Sequence, residues 1–179
     1  MNIEEKIEDS KVVYEGVFIN VERLTVTLPD GRKGERDVVR HPGAVAVLAL
    51  NDNGDILMER QYRVPIDQVI YEIPAGKVDP DEDPTASAQR ELQEETGYTA
   101  GEILRVGEII LAAGYSDEII EIFIARDLTL GESRMDEDEF LEHEFIPKEK
   151  VLQMIKSGEI KDSKTICAML YLQLQSDSI

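Results

Sequence analysis

The chain has 179 residues, 42% of them hydrophobic and 32% charged, a composition suited to one globular domain and not to a disordered segment. Nineteen Lys and Arg stand against thirty-eight Asp and Glu, a formal net charge of −19. That balance excludes a protein whose main task is to grip a nucleic-acid backbone and disfavours anionic membrane surfaces, while leaving room for a phosphorylated substrate accompanied by a divalent cation.

The first ten residues, MNIEEKIEDS, are polar and acidic and read as no signal peptide. VVYEGVFI, ERLTVTL and GERDVVR carry β-branched residues in partial alternation around the turn Pro29-Asp30-Gly31, which predicts a β meander. His41-Pro42 reads as a strand end. With His143 the only other histidine, a multi-histidine metal site is excluded. GAVAVLAL, residues 43–50, is the continuous apolar run of a strand covered on both faces. Asn51 to Asp55 is a turn, DILMERQYR its partner strand, and VIYEI (69–73) a short strand ending at Pro74-Ala75-Gly76.

The period then changes. Asp83-Pro84 is a helix start, an N-cap carboxylate followed by proline at the first helical position, and Gly97 is a helix stop. Ala88 and Leu92, four apart, form its buried stripe. Strands EILRVGEII and EIIEIFIARDL follow, then an acidic loop around 132–139, a strand near FLEHEFI, and two helices, 147–158 and roughly 163–175. The single cysteine, Cys167, lies in the apolar stretch TICAMLYL and reads as core; it excludes an internal disulfide and suits a reducing cytoplasm. No apolar run approaches the roughly 18 residues that span a bilayer. The order suggests an α/β fold, a mixed sheet sandwiched between helices.

The helix carries Glu91, Glu94 and Glu95, with Glu82 just before it. Residues three and four apart share a face, so Glu91 is set beside both Glu94 and Glu95, and like charges at that spacing are destabilising. Arg90 can pair with Glu94, but no cation stands at a matching position for Glu91 or Glu95. Glu95 also sits near the helix C-terminus, where the macrodipole disfavours an anion. Acidic helix faces are often no more than solvated; clustered carboxylates are also what Mg²⁺, or Mn²⁺ in its place, takes together with waters and phosphate oxygens.

The spacing is more specific than the charge. Gly76, five residues, Glu82, seven residues, Arg90-Glu91-Leu92, one residue, Glu94-Glu95, one residue, Gly97, Tyr98 resembles the Nudix box, the signature of hydrolases of a nucleoside diphosphate linked to another group. Tyr98 stands where an aliphatic residue is usual. Outside the box the strand order resembles the Nudix α/β/α sandwich, preceded here by an N-terminal antiparallel β arm, so the resemblance covers most of the chain.

That resemblance implies a loop-helix-loop holding divalent metal at a pyrophosphate. Glu91 and Glu95 would be the main metal ligands, joined by the Ala75 carbonyl, with Glu94 on the same face. Arg90 would orient the glutamates, and Glu82 would anchor the loop to the helix. The N-terminal arm, YEIPAGKVD and GYSDEIIEIFIA together look like the ADP-ribose pyrophosphatase branch, whose products would be AMP and ribose 5-phosphate. In that branch a loop after the box supplies a glutamate acting on the attacking water. The matching stretch, Met135 to Phe140, offers Glu137 as base and Glu139 as an additional metal ligand. Arg36 and Arg63 resemble the branch's diphosphate-binding arginines. Glu72 and Glu118 resemble acids that accept ribose hydroxyls, and Phe18 and Tyr115 are candidates to stack on a purine. Ala113 replaces a proline usual in the branch, so another nucleotide (a GDP-sugar, a dinucleotide, a non-standard triphosphate) stays open, as does an inactive ligand sensor of the same fold. The resemblance further implies a homodimer built through an arm of residues 1–40, with the hydrolase domain over 41–179.

Overall fold

A computed structural model of the chain describes residues 2–132 and 140–176. The chain divides into two compact units, residues 1–42 with 110–119, and residues 43–109 with 120–179.

In the first unit β1 (Lys6–Glu15), β2 (Asn20–Thr27) and β3 (Lys33–Arg40) form an antiparallel sheet in the order β1-β2-β3. VVYEGVFI is not one strand. Gly16 turns the chain, its N–H donating to the Ile19 carbonyl at 2.9 Å, and a Cβ there would press on that carbonyl at 2.7 Å, so glycine is what lets the hairpin close. Gly31, at φ 86°, serves the second turn. Alternation puts Leu24 and Val26 of β2 inside, while every residue of β1 is exposed. The 110–119 segment is tied to β3: Val39 N–H donates to Tyr115 O at 2.7 Å and Asp117 N–H to Val39 O at 3.2 Å.

The second unit runs β4 (Ala44–Ala49), β5 (Ile56–Arg63), a 3₁₀ turn at Val64–Ile66, β6 (Gln68–Glu72), β7 (Ala75–Lys77), α1 (Pro84–Thr96), β8 (Tyr98–Ile110), β9 (Ile119–Leu130), β10 (Leu141–Ile146), α2 (Lys148–Ser157) and α3 (Ser163–Ser176). One sheet, β7-β4-β9-β8, is mixed, with β4 parallel to β9 and antiparallel to β7; the other, β10-β5-β6, is antiparallel. All six residues of β4 are buried. Ala44, Ala46 and Leu48 face a core completed by Val151 and Met154 of α2 and by Ala168, Met169 and Leu172 of α3. Val45, Val47 and Ala49 face a second core that takes Ala88 and Leu92 of α1 and Phe123 of β9. Helices therefore cover both faces of the sheet, an α/β/α sandwich, and this is why β4 reads as an unbroken apolar run.

Helix α1 has the ends its sequence requires. Asp83 Oδ1 accepts from Thr85 N at 2.9 Å and Ala86 N at 3.2 Å, satisfying two donors that no earlier turn could reach. Gly97 closes the helix in the left-handed region at φ 76°, its N–H donating to Gln93 O. Tyr98 packs against the second core, edge-on to Phe145 with ring centres 5.4 Å apart. Cys167 is half-buried on α3; the side of the helix that meets the core is set by Ala168, Met169 and Leu172. Among the described residues no helix is long and apolar enough to cross a membrane.

Candidate active site

Arg90 sits at the centre of the box, and all five of its N–H donors are used. Nε and Nη2 grip the two oxygens of Glu82 at 3.0 and 2.9 Å. Nη1 reaches both Glu91 Oε1, at 2.8 Å, and Glu94 Oε2, at 2.9 Å. Nη2 also donates to the Lys77 carbonyl of β7 at 3.2 Å. The i,i+4 pair with Glu94 is legible from spacing. The contact to Glu91 is not, because adjacent helical residues do not face each other; Arg90's length brings the guanidinium back across the helix. One guanidinium thus fixes three carboxylates and the strand that precedes the helix.

The charges answer one another. The Arg90 hydrogen bonds, then that from the Ser87 hydroxyl, hold the Glu82 carboxyl down from its ordinary 4.5 to about 2. Glu82 in turn is the largest cause that raises Arg90's own pKa.

Glu91 and Glu95 are placed by the backbone of β7. A Cβ on Gly76 would land inside the Glu91 carboxylate, so the absence of a side chain at 76 is what allows the carboxylate to lie on the strand. Glu95 is buried, and its Oε2 accepts from Ala75 N at 3.0 Å. Two carboxylates and the backbone of residues 75–76 therefore meet at one place. Among the described residues no three His, Cys, Asp or Glu side chains form a ready-made cage. Such a set fits a hard cation of the Mg²⁺ type, which is bound by one or two carboxylates plus substrate phosphates and waters and not by an all-protein shell.

Beside this pair, Arg63 at the end of β5 meets Glu72 at the end of β6. Nε and Nη2 donate to the two carboxylate oxygens at 2.8 and 2.9 Å. Burial works against the Arg63 charge, but the hydrogen bond and charge of Glu72 outweigh it, with Glu95 and Asp162 adding, and the pKa is raised. Glu72, expected on the substrate side, is 1% exposed, and its Oε2 also receives Lys164 Nζ. Asp162, Lys164 and Thr165, at the start of α3, were not singled out by the sequence. Lys164 and Thr165 meet Glu72 and Ile73, 92 positions away, beyond any local pattern.

Arg36, Glu118, Phe18 and Tyr115 lie in the first unit. Arg36 pairs with Glu5 and, with Tyr115, Ala113 and Asp117, lines a cavity of about 360 Å³. Glu118 Oε1 is 3.7 Å from His41 Nδ1, and Phe18 stands edge-on to His41 at 6.2 Å. Arg40 bridges Glu22 and Asp117, each at 2.9 Å. Glu137 and Glu139 fall outside the described residues.

Comparison with known proteins agrees with the geometry in kind. The NUDIX domain model matches residues 39–169, and the model of the nucleoside diphosphate sugar hydrolase N-terminal domain matches residues 5–39. An ADP-ribose pyrophosphatase of Bacillus subtilis (strain 168) is 42% identical over 176 residues, 97% of this chain and 95% of that protein. A methanol dehydrogenase activator of Bacillus methanolicus is 41% identical over 174 residues, 96% and 94% of the two chains. A solved structure of an ADP compounds hydrolase superposes with a TM-score of 0.87 over 99% of this chain and 97% of that one, at 19% identity, a likeness of fold.

Proposed function

The chain belongs to the NUDIX family of hydrolases, and from that premise we propose that it splits the pyrophosphate bond of ADP-ribose or a closely related ADP-sugar, with Mg²⁺, or Mn²⁺ in its place, as cofactor. Support for the substrate comes from the 42% identical ADP-ribose pyrophosphatase, aligned over nearly the whole of both chains. The observation that carries the site is the Glu91 carboxylate lying on Gly76 beside Glu95 and Ala75.

Glu91, Glu95 and the Ala75 carbonyl would hold the metal, with Glu139 as a further ligand. A cation held there would neutralise phosphoryl oxygens and favour deprotonation of the attacking water. The protein's own residues do the rest. Arg90 keeps Glu91 and Glu94 in fixed rotamers, so the site is organised before substrate arrives. Arg63, its side chain 41% exposed, presents a guanidinium to the diphosphate, and Arg36 offers a second. Glu137 takes a proton from water as the water oxygen bonds to phosphorus. The P–O bond of the anhydride breaks, and the bridging oxygen leaves on the other phosphate. AMP and ribose 5-phosphate result. Glu118, Phe18 and Tyr115 are assigned to the ribose and purine. Glu72, being buried, is assigned to holding Arg63.

We assign the chain to the reducing cytoplasm, as a homodimer joined through residues 1–40. The exposed Ile7, Val12, Val13 and Tyr14 of β1 support the dimer, since an uncovered apolar strand invites pairing.

A panel of ADP-ribose, ADP-glucose, GDP-mannose, diadenosine polyphosphates and nucleoside triphosphates tests the assignment. ADP-ribose should be the best substrate by at least about tenfold in kcat/KM, the span that a few hydrogen bonds to one base and sugar confer. A triphosphate preferred over it would refute the assignment. The methanol dehydrogenase activator favours a second possibility, that the chain acts upon a dehydrogenase; turnover of free ADP-ribose by the purified protein alone separates the two.

A further inference from the structure

The N-terminal turn of α3 is fastened to the strand end that leads into the site. Lys164 Nζ donates to Glu72 Oε2 and to Asp162 Oδ1 at 3.0 Å. One residue on, the Thr165 hydroxyl accepts from Ile73 N at 3.0 Å, while its own N–H and O–H donate to Asp162 Oδ2 at 2.9 and 2.6 Å. Glu72 and Ile73 are followed by Pro74 and then by Ala75, whose N–H donates to Glu95. Four residues of chain, Glu72 to Ala75, thus run from the α3 clamp to the backbone of the candidate metal site. Lys164 is 8% exposed and Glu72 1%.

A buried ion pair is a poor device for stability alone, because apolar residues of similar volume serve at least as well. What the pair does supply is direction. Glu72 receives two cations. Arg63 takes both oxygens, and Lys164 takes Oε2 from the α3 side. With only Arg63 the carboxylate would spend its whole charge on one guanidinium. A second cation shares that charge, so Arg63 stays aimed by its fork yet keeps attraction for an incoming anion.

We propose that Lys164 is a positioning residue of the site, which acts through Glu72 to set the orientation and anion affinity of Arg63, with Thr165 pinning the strand beneath it. The assignment deepens the nucleotide-sugar function and rests on it for the identity of the anion, but not for the side-chain coupling.

Calorimetric binding of ADP-ribose in EDTA tests it with neither metal nor turnover. Lys164→Met should fold, by circular dichroism and melting, and bind about tenfold more weakly, a fraction of what an ångström of misplacement costs. In a Glu72→Gln background the same substitution should change affinity less than about twofold, because coupled residues are non-additive. The ¹⁵Nε–H resonance of Arg63, assigned through Arg63→Lys, should move in Lys164→Met without ligand. Unchanged binding by a folded Lys164→Met, or an equal loss in the Glu72→Gln background, overturns the proposal. If Lys164→Met does not fold, Lys164→Gln takes its place; failure of both to fold makes Lys164 a stability residue and also overturns it. If wild-type protein binds no ADP-ribose, the proposed substrate falls, and the Arg63 resonance alone decides the coupling: moved in the variant, it stands; unmoved, it fails.

Discussion

Glu82 holds the Arg90 guanidinium with both carboxylate oxygens, at 3.0 and 2.9 Å, from a position eight residues earlier in the chain. The loop before α1 is thereby locked to the face of the helix that carries Glu91 and Glu94.

The lock should be acid-sensitive, with a defined sign. The Glu82 carboxyl is lowered from its ordinary 4.5 to about 2 by Arg90 and then Ser87. A carboxyl depressed on folding adds stability that is fully present above its unfolded value and is lost as pH falls through the folded one. Glu82→Gln should therefore melt lower than wild type at neutral pH, and the difference should shrink between pH 4.5 and 2. Melting curves across that window check it. A difference constant with pH would show that packing, not charge, is what the substitution removes.

Gly76→Ala should inactivate without unfolding. The added methyl displaces the Glu91 carboxylate, and misplacing one group by an ångström costs on the order of 100-fold. The three atoms nearest the added methyl all belong to that carboxylate, so neither the two cores nor the Glu82–Arg90 pair is what it strikes. Parallel measurement of kcat/KM and melting temperature separates the two effects. A collapse of the fold with no folded, inactive fraction would contradict the local clash.

Glu95→Gln should keep the fold, since its amide oxygen can still accept from Ala75 N–H, yet lose most activity, about 100-fold or more, through loss of the ligand charge. Unfolding of this variant would make Glu95 a structural residue.

Leu92→Ala is the contrasting case. Leu92 is 0% exposed in the core between α1 and the sheet, and such truncations cost about 2–5 kcal/mol. Denaturant titration should show that loss. The folded fraction should keep its KM, because Leu92 packs in the core with Ala88 and Phe123 and is not among the residues assigned to metal or substrate.

Glu137→Gln should lower kcat more than it raises KM, as removal of a water-activating group does. A large rise in KM at unchanged kcat would assign Glu137 to binding.

What the sequence made legible was what local chemistry controls. The caps Asp83 and Gly97, the stripe Ala88–Leu92 and the two-faced burial of β4 follow from periods of 3.6 and 2 and from backbone rules at single residues. No Lys or Arg stands three or four residues from Glu91 or Glu95, which marks the pair as unusual, but it is the resemblance to the Nudix box that makes them candidate metal ligands. Arg90's grip on Glu82 could not be read that way, since it depends on how the intervening loop folds back. Lys164 was invisible for a stronger reason: its partner Glu72 is 92 residues away, and a lysine near the start of a C-terminal helix carries no local sign of burial. Gly16 shows the reverse error, a β-rich run broken by a turn that only the glycine's lack of a Cβ permits.

The most direct test is ³¹P spectroscopy of ADP-ribose incubated with the purified chain, with Mg²⁺ and then with excess EDTA. With Mg²⁺ the two diphosphate resonances should give way to two phosphomonoester resonances, those of AMP and ribose 5-phosphate, and EDTA should stop the conversion. Diphosphate resonances that persist undiminished with either Mg²⁺ or Mn²⁺ would contradict the account.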